Sequence, residues 1–256
     1  MTLSVDLGGR VALVTGGARG IGRGISEVLL AAGATVVTCG RSEAEPPAGA
    51  THLTCDVRDP DSVAALVDAV VTRHGRLDIV VNNAGGGPFV MADEASPRLS
   101  EKVVGLNLMA ALHVSQAANR VMQTQESGGA IVNISSVSAL RPSPGTAAYG
   151  AAKAGVDSLT TSLAMEWGPK VRVNCIDVGL VRTADTAEHY GGDATVAAIE
   201  RTIPARRMAR FDEIGNVAAF LASDLATYVS GASVACHGGG EMPVFLHIFQ
   251  NTGENS

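Results

Sequence analysis

Arg10-Val11-Ala12-Leu13-Val14 runs straight into Thr15-Gly16-Gly17-Ala18-Arg19-Gly20-Ile21-Gly22, and no other stretch restricts the possible folds so tightly. A continuous apolar run of this kind is the pattern of a central parallel strand covered on both faces. The residues after the glycines, Arg23 to Ala32, place Ile25, Val28, Leu29 and Ala32 at helical spacing. Gly33 ends that helix, and Ala34 to Cys39 reads as a second strand. The whole is one βαβ unit with glycines at its first turn. Backbone N–H groups at a helix N-terminus attract phosphate, and glycines at 16, 20 and 22, with Ile21 between them, let a pyrophosphate approach without a Cβ in the way. The Gly-Lys-Ser/Thr of a phosphate-transfer loop is missing.

The alternation continues. A third strand is predicted at Thr51–Cys55, a helix at Asp61–Arg73 opened by Pro60 and capped by Asp59 or Asp61, and a fourth strand at Leu77–Val81. A long helix from about Pro97 to Gln123 follows, then a fifth strand from Ala130 to Ile134 and an Ala-rich helix carrying Tyr149 and running to Trp167. Val171–Ile176 reads as a sixth strand. The stretch from Val181 to Arg210 is polar and irregular, with a weak helix at Ala194–Arg201, before a helix at Asp212–Leu221 and a last short strand at Ser233–Cys236. Strands alternating with helices imply an α/β chain: a single-domain Rossmann fold over residues 1–256, a doubly wound parallel sheet of about seven strands with helices on both faces.

With 46% hydrophobic and 17% charged residues and a mean hydropathy of +0.22, the chain can bury a sizeable core. A net charge of −6 argues against nucleic acid or an anionic membrane as partner. Cys39, Cys55, Cys175 and Cys236 are widely spaced and read as buried small residues, so no metal site is expected. No apolar run approaches the roughly 20 residues of a membrane helix, and no signal-peptide pattern opens the chain. A soluble, cytoplasmic protein is expected.

In doubly wound sheets ligands bind beyond the carboxyl ends of the strands. Gly16–Gly22, Asp56, Asn82–Gly85, Ser136 and Gly179–Thr183 all follow strands, so they share that edge. Tyr149 and Lys153 lie four apart on one helical face, and the Pro142-Ser143-Pro144-Gly145 loop brings Ser136 to them. A phenol with an ordinary pKa of about 10 exchanges protons poorly at neutral pH. The Lys153 ammonium is expected to lower it, making Tyr149 a general acid/base, with Ser136 bonded to the same substrate oxygen. At the tip of the second strand, Cys39-Gly40-Arg41-Ser42 has no acid until Glu43. An acid there would accept the ribose hydroxyls of NAD, whereas Arg41 and Arg19 suit a 2′-phosphate. NADP(H) is therefore expected over NAD(H).

With these residues assembled, the chain resembles the short-chain dehydrogenase/reductase family over nearly its whole length, in general terms its NADP-preferring, 3-oxoacyl-reductase-like members. Thr15–Gly22 matches the family's Thr-Gly-x-x-x-Gly-x-Gly, Asn82–Gly85 its Asn-Asn-Ala-Gly, and Ser136, Tyr149 and Lys153 its Ser with Tyr-x-x-x-Lys. Asn107 matches the helical asparagine of its tetrad. The resemblance implies hydride transfer between nicotinamide and a carbonyl or secondary alcohol, with Tyr149 exchanging the proton. Lys153 would also hold the nicotinamide ribose, and Asn107 would anchor a water in a relay ending at Lys153. Asp56 would meet the adenine amine with Val57 beside it, and Asn83, with Ala84 and Gly85 in its motif, would lie on the adenosine side. Gly179, Val181 and Thr183 would border the nicotinamide, Thr183 at its carboxamide.

The family's Pro-Gly after the sixth strand is here Val178-Gly179, and its Asp-Gly-Gly is His237-Gly238-Gly239. His237 is read as a surface or interface residue, with a substrate contact as the alternative. The resemblance further implies a homotetramer and a lid at about 183–210 that contains Asp185, His189, Tyr190 and Arg201. The apolar tail at 241–256 is expected to pack on a neighbouring subunit. The substrate class stays open, an enoyl reductase being disfavoured by the Tyr–Lys spacing. The competing function is a nucleotide-binding regulator or scaffold without turnover.

Overall fold

The structure, a computed structural model, describes residues 4–183 and 186–243. Asp185 and the tail from 244 onward lie outside them, as does the side chain of His189. The chain opens with β1 (Val11–Thr15), α1 (Gly20–Ala31), β2 (Thr35–Gly40) and β3 (Thr51–Thr54). Next come α2 (Pro60–His74), β4 (Ile79–Asn82), α3 (Pro97–Val104), a π-helical turn (Gly105–Met109) and α4 (Ala110–Met122). The second half contributes β5 (Gly129–Ile134), α5 (Ala147–Trp167), β6 (Val171–Val178), α6 (Thr186–Tyr190), α7 (Asp193–Thr202), α8 (Phe211–Ala222) and β7 (Ser233–Cys236).

All seven strands are parallel, in the order β3-β2-β1-β4-β5-β6-β7. The order reverses between β1 and β4, which opens a crevice at their carboxyl ends. Every residue of β1 is buried, because side chains alternate between two apolar layers. Leu13 packs with Val70, Val80, Val114 and Ile131 beneath α2, α4 and α5. Ala12 and Val14 pack with Ile25, Leu29, Ile176 and Ile214 beneath α1 and α8. The last two helices approach closely at glycines: a Cβ on Gly24 would stand 2.3 Å from Phe211 Cβ.

Several elements differ from the sequence pattern. The long helix expected from Pro97 to Gln123 is divided by the π turn, a local shift from i→i−4 to i→i−5 bonding that apolar periodicity does not reveal. Of the two acids offered as caps for α2, Asp59 serves, accepting the Asp61 N–H at 3.2 Å. β6 continues two residues past Ile176, because Asp177 and Val178 pair with Ala235 and Cys236. Valine carries on a ladder that proline would interrupt. The irregular segment after β6 holds α6 as well as α7.

Candidate active site

A cleft of about 680 Å³ opens at the carboxyl ends of β1, β2, β4, β5 and β6. The glycine loop forms its floor, with Gly16, Arg19, Gly20, Ile21 and Gly22 all lining it. Two observations explain the glycines. Gly16 and Gly20 have positive φ (65° and 53°), and a Cβ on Gly22 would lie 2.3 Å from the Gly16 carbonyl oxygen. Asn83 braces this loop from behind, its Nδ2 donating to the Thr15 carbonyl at 2.9 Å. The Thr15 hydroxyl accepts the Asn83 and Ala84 N–H groups at 3.0 and 2.9 Å, tying the loop after β4 to β1.

Arg41 and Val57 line the end of the cleft beside β2 and β3, and Arg19 stands across from them on the glycine loop. Both Arg19 and Arg41 line the cleft, and among the described residues neither has an ion pair within 4 Å, although the Arg41 charge is felt at Asp56. Asp56 stands in the turn after β3, between Cys55 and Val57 of the lining. Its carboxylate takes a fork from Arg58 at 2.9 and 2.5 Å and accepts the Arg58 N–H at 3.0 Å. Those bonds, chiefly the side-chain pair, hold it down at about 2. The fork braces the turn after β3.

At the other end stand Ser136, Tyr149, Lys153, Val178, Gly179 and Thr183. β5 delivers Ser136, whose hydroxyl accepts the Ser138 N–H of a 3₁₀ turn at 3.2 Å. Tyr149 is in the first turn of α5 and Lys153 one turn later, as their spacing requires. Lys153 is 4% exposed, donates to the Ile134 carbonyl at 2.7 Å and sits 5.6 Å from the centre of the Tyr149 ring. The expected lowering of Tyr149 by Lys153 is not what this arrangement gives. Burial pushes the phenol above its ordinary value, and the opposing influence is the neighbouring Ser136 hydroxyl. The lysine itself is lowered to about 8, mainly by burial. Its ammonium is turned to a backbone carbonyl, so it acts on the ring at a distance.

Asn107 lies in the π turn, 2% exposed, just beneath the cleft. Its Oδ1 accepts the Gly86 N–H at 2.8 Å, and its Nδ2 donates to the Gly86 and Val103 carbonyls at 2.9 and 2.8 Å. The amide therefore staples the loop after β4, and Gly85 gives it room: a Cβ there would be 2.7 Å from Asn107 Oδ1 and 3.4 Å from Lys153 Nζ. Val181 stands outside the lining, in a bridge with Ala209 at the root of the following segment. A smaller bay of about 80 Å³ opens on the other side of Tyr149, walled by Val90, Leu99, Val103 and Gly145.

The sequence reading missed a buried group behind Lys153. Asp157, Cys175 and Asp177 bring their ligand atoms within 4.8 Å of one another. Burial and then the Asp157 charge push Asp177 up to about 6, and burial pushes Cys175 up to about 12. Asp157 lies 18 residues before Cys175, and only the packing of α5 on β6 joins it to Cys175 and Asp177. His237 stands nearby, its backbone against Gly179 and its Nδ1 buried with no hydrogen-bond partner among the described residues. No helix of the described residues is long and apolar enough to cross a membrane.

Comparison with known proteins agrees with this geometry. A family model described as enoyl-(acyl carrier protein) reductase matches residues 16–241. The short-chain type dehydrogenase/reductase y4vI of Sinorhizobium fredii is 38% identical over 242 residues, which are 90% of this chain and 43% of that longer one. D-threitol dehydrogenase of Mycolicibacterium smegmatis is 37% identical over 252 residues, covering 93% of this chain and 96% of that one. The ligand-free aldohexose dehydrogenase of Thermoplasma acidophilum superposes with a TM-score of 0.86 at 30% identity, over 92% of this chain and 95% of that one. The chain belongs to the short-chain dehydrogenase/reductase family, oxidoreductases that pass a hydride between a nicotinamide dinucleotide and a carbonyl or alcohol carbon.

Proposed function

We propose that the protein is an NADP(H)-preferring reductase or dehydrogenase of a small carbonyl/alcohol substrate, with Tyr149 as its general acid/base. The observation that carries the reading is the cleft itself, with Tyr149, Ser136 and Lys153 at one end and two guanidinium groups at the other. When bound, the dinucleotide supplies or accepts the hydride. Gly16, Gly20 and Gly22 would bear its pyrophosphate, Arg41 and Arg19 its 2′-phosphate, Val57, Asn83, Ala84 and Gly85 the adenosine side, and Gly179 and Thr183 its nicotinamide. Tyr149 gives its proton to the substrate oxygen during reduction and takes it back during oxidation. Ser136, beside the phenol in the same wall, holds that oxygen in line. Lys153 steadies the developing phenolate, and Asn107 fixes the loop beneath them. The apolar bay beside Tyr149 suits a substituent with few polar groups. D-threitol and aldohexose, the substrates named for two relatives, make polyhydroxy alcohols the other class to be sampled.

The same reading makes the segment at 183–210 a lid over the substrate. It makes the working form a homotetramer in the cytoplasm, a reducing compartment that suits four free thiols. The experiment is a spectrophotometric assay with NADPH and NADH against 3-oxoacyl thioesters, ketosteroids, diketones, quinones and sugars, run beside Tyr149→Phe. Turnover is expected with NADPH well above NADH, and Tyr149→Phe should lose roughly 10²–10⁴-fold in kcat while still binding cofactor. Equal turnover with NADH would overturn the role of Arg41. An unimpaired Tyr149→Phe would overturn the mechanism and return the binding-only function to the front.

A further inference from the structure

Two of the four cysteines meet inside the cofactor cleft. β2 and β3 are parallel neighbours with Cys39 opposite Leu53. Cys55 is two residues beyond Leu53, so both thiols project from the same face of the sheet. The two side chains are diagonal neighbours on that face, near enough for each to act on the other's proton, and the Ser62 hydroxyl donates to Cys55 Sγ at 3.4 Å. Both residues line the cleft beside Gly40, Arg41 and Val57, and both are otherwise enclosed by the apolar core. Their backbones hold parts of the binding apparatus. The Cys39 carbonyl accepts the Gly16 N–H at 2.8 Å, and Cys55 donates to the Gly40 carbonyl at 2.7 Å just before Asp56.

The two sulfurs are unequal. The neighbouring Cys39 thiol and then the Ser62 hydroxyl stabilise a thiolate on Cys55, which falls to about 7. Cys39 moves the other way, raised by the same pairing and by burial. A thiolate-prone sulfur on a cleft wall beside a second thiol is the arrangement of an attacking and a resolving cysteine.

We propose that Cys39 and Cys55 form an oxidant-sensitive pair that disables the cofactor cleft when joined as a disulfide. This rests on the reading of the cleft as the dinucleotide site. The oxidant is a hydroperoxide. The Cys55 thiolate attacks its distal oxygen, the O–O bond breaks, and the leaving oxygen takes a proton and departs as water or alcohol. The resulting Cys55 sulfenic acid is attacked at sulfur by Cys39. The S–O bond breaks, the hydroxide takes the proton that Cys39 gives up, and one molecule of water leaves. Two thiols have supplied the two electrons that reduced the peroxide. Drawing the thiols together to bonding distance, about 2.05 Å between sulfurs, shifts the strand ends that anchor Gly16 and Arg41. A bound dinucleotide covers the same wall and shields Cys55.

The test uses the full-length protein, reduced and then treated with hydrogen peroxide with and without saturating NADPH. NADPH affinity is measured by fluorescence titration before and after, and the cysteines are read by peptide mass mapping. The reduced protein is titrated first, and failure to bind NADPH there would refute the reading of the cleft whatever the thiols do. With binding established, peroxide should produce a Cys39–Cys55 cross-link. It should weaken NADPH binding by at least about tenfold, the scale of one lost charge-assisted hydrogen bond, and dithiothreitol should restore it. NADPH should slow the oxidation. Cys55→Ser should form no sulfenic acid at this wall, and Cys39→Ser should stop at sulfenic or sulfinic acid on Cys55. Oxidation confined to Cys175 or Cys236, or a cross-link that leaves NADPH affinity unchanged, would overturn the proposal.

Discussion

Lys153 is an ammonium that the fold encloses almost completely, with one carbonyl as its hydrogen-bonded neighbour. A lysine whose folded pKa is depressed to about 8 binds its proton less tightly folded than unfolded. The stability this group adds is therefore complete above the ordinary lysine value of about 10.4 and is lost as pH falls through about 8. Lys153→Met removes the titration. Scanning fluorimetry should show the variant gaining on the wild type as pH falls from 10.5 to 8, and a constant offset below that. The lost bond to Ile134 adds only a pH-independent term, so a difference flat across this window would contradict the assignment. Turnover should fall together with that of Tyr149→Phe. At this scale Ser136, Tyr149 and Lys153 were legible, because a strand end and a four-residue helical spacing fix where side chains go. The direction of the Tyr149 shift was not, because it depends on burial, which no local spacing encodes. The pairing of Asp56 with Arg58 was likewise not legible, because the two meet two residues apart around a turn.

Helix α1 shows how an element turns glycines into a binding surface. Its first residues carry no acidic side chain, and its N-cap Arg19 makes no side-chain capping bond, so the N-terminal N–H groups are left facing the cleft. Gly22 sits where this turn crosses the loop. A Cβ there would stand 2.3 Å from the Gly16 carbonyl and 2.4 Å from Asn83 Nδ2. Neither neighbour is free to retreat, since Gly16 is bonded to β2 and Asn83 to β1. Gly22→Ala is therefore expected to cost roughly 1–3 kcal/mol of stability and to weaken dinucleotide binding more than it slows the bound enzyme. A melting curve and a cofactor titration check both, and a variant with unaltered cofactor affinity would show that the loop is not the pyrophosphate site. Elements of this kind are legible because a strand, a glycine run and an amphipathic helix each leave a local pattern. The π turn at Asn107 leaves none. It is one extra residue in a continuous helix, stabilised by an amide bonded twice to Gly86, twenty-one positions away.

At the scale of the whole molecule the two faces of the sheet are unequally finished. On the side of α5, Met165 is 86% exposed, and Met109 in the adjoining π turn is also exposed. On the side of α8, Phe220, Leu225 and Tyr228 are exposed as well. Because α5 and α8 cover opposite faces, these are two separate apolar surfaces, and two self-complementary contacts through them would close the proposed tetramer with two-fold symmetry. Sequence periodicity could not separate them from core positions, because it reports that a residue is apolar and not which neighbour covers it. Met165→Glu places a charge on the first surface and leaves the second intact, as well as every residue of the cleft. Light scattering coupled to size exclusion should then show the mass of the wild-type assembly halved, with the fold retained by circular dichroism. If the variant keeps the wild-type mass, the α5 face is not an interface. A wild type that is monomeric at the outset would remove the tetramer altogether, and the exposed methionines would then have to be explained within one chain.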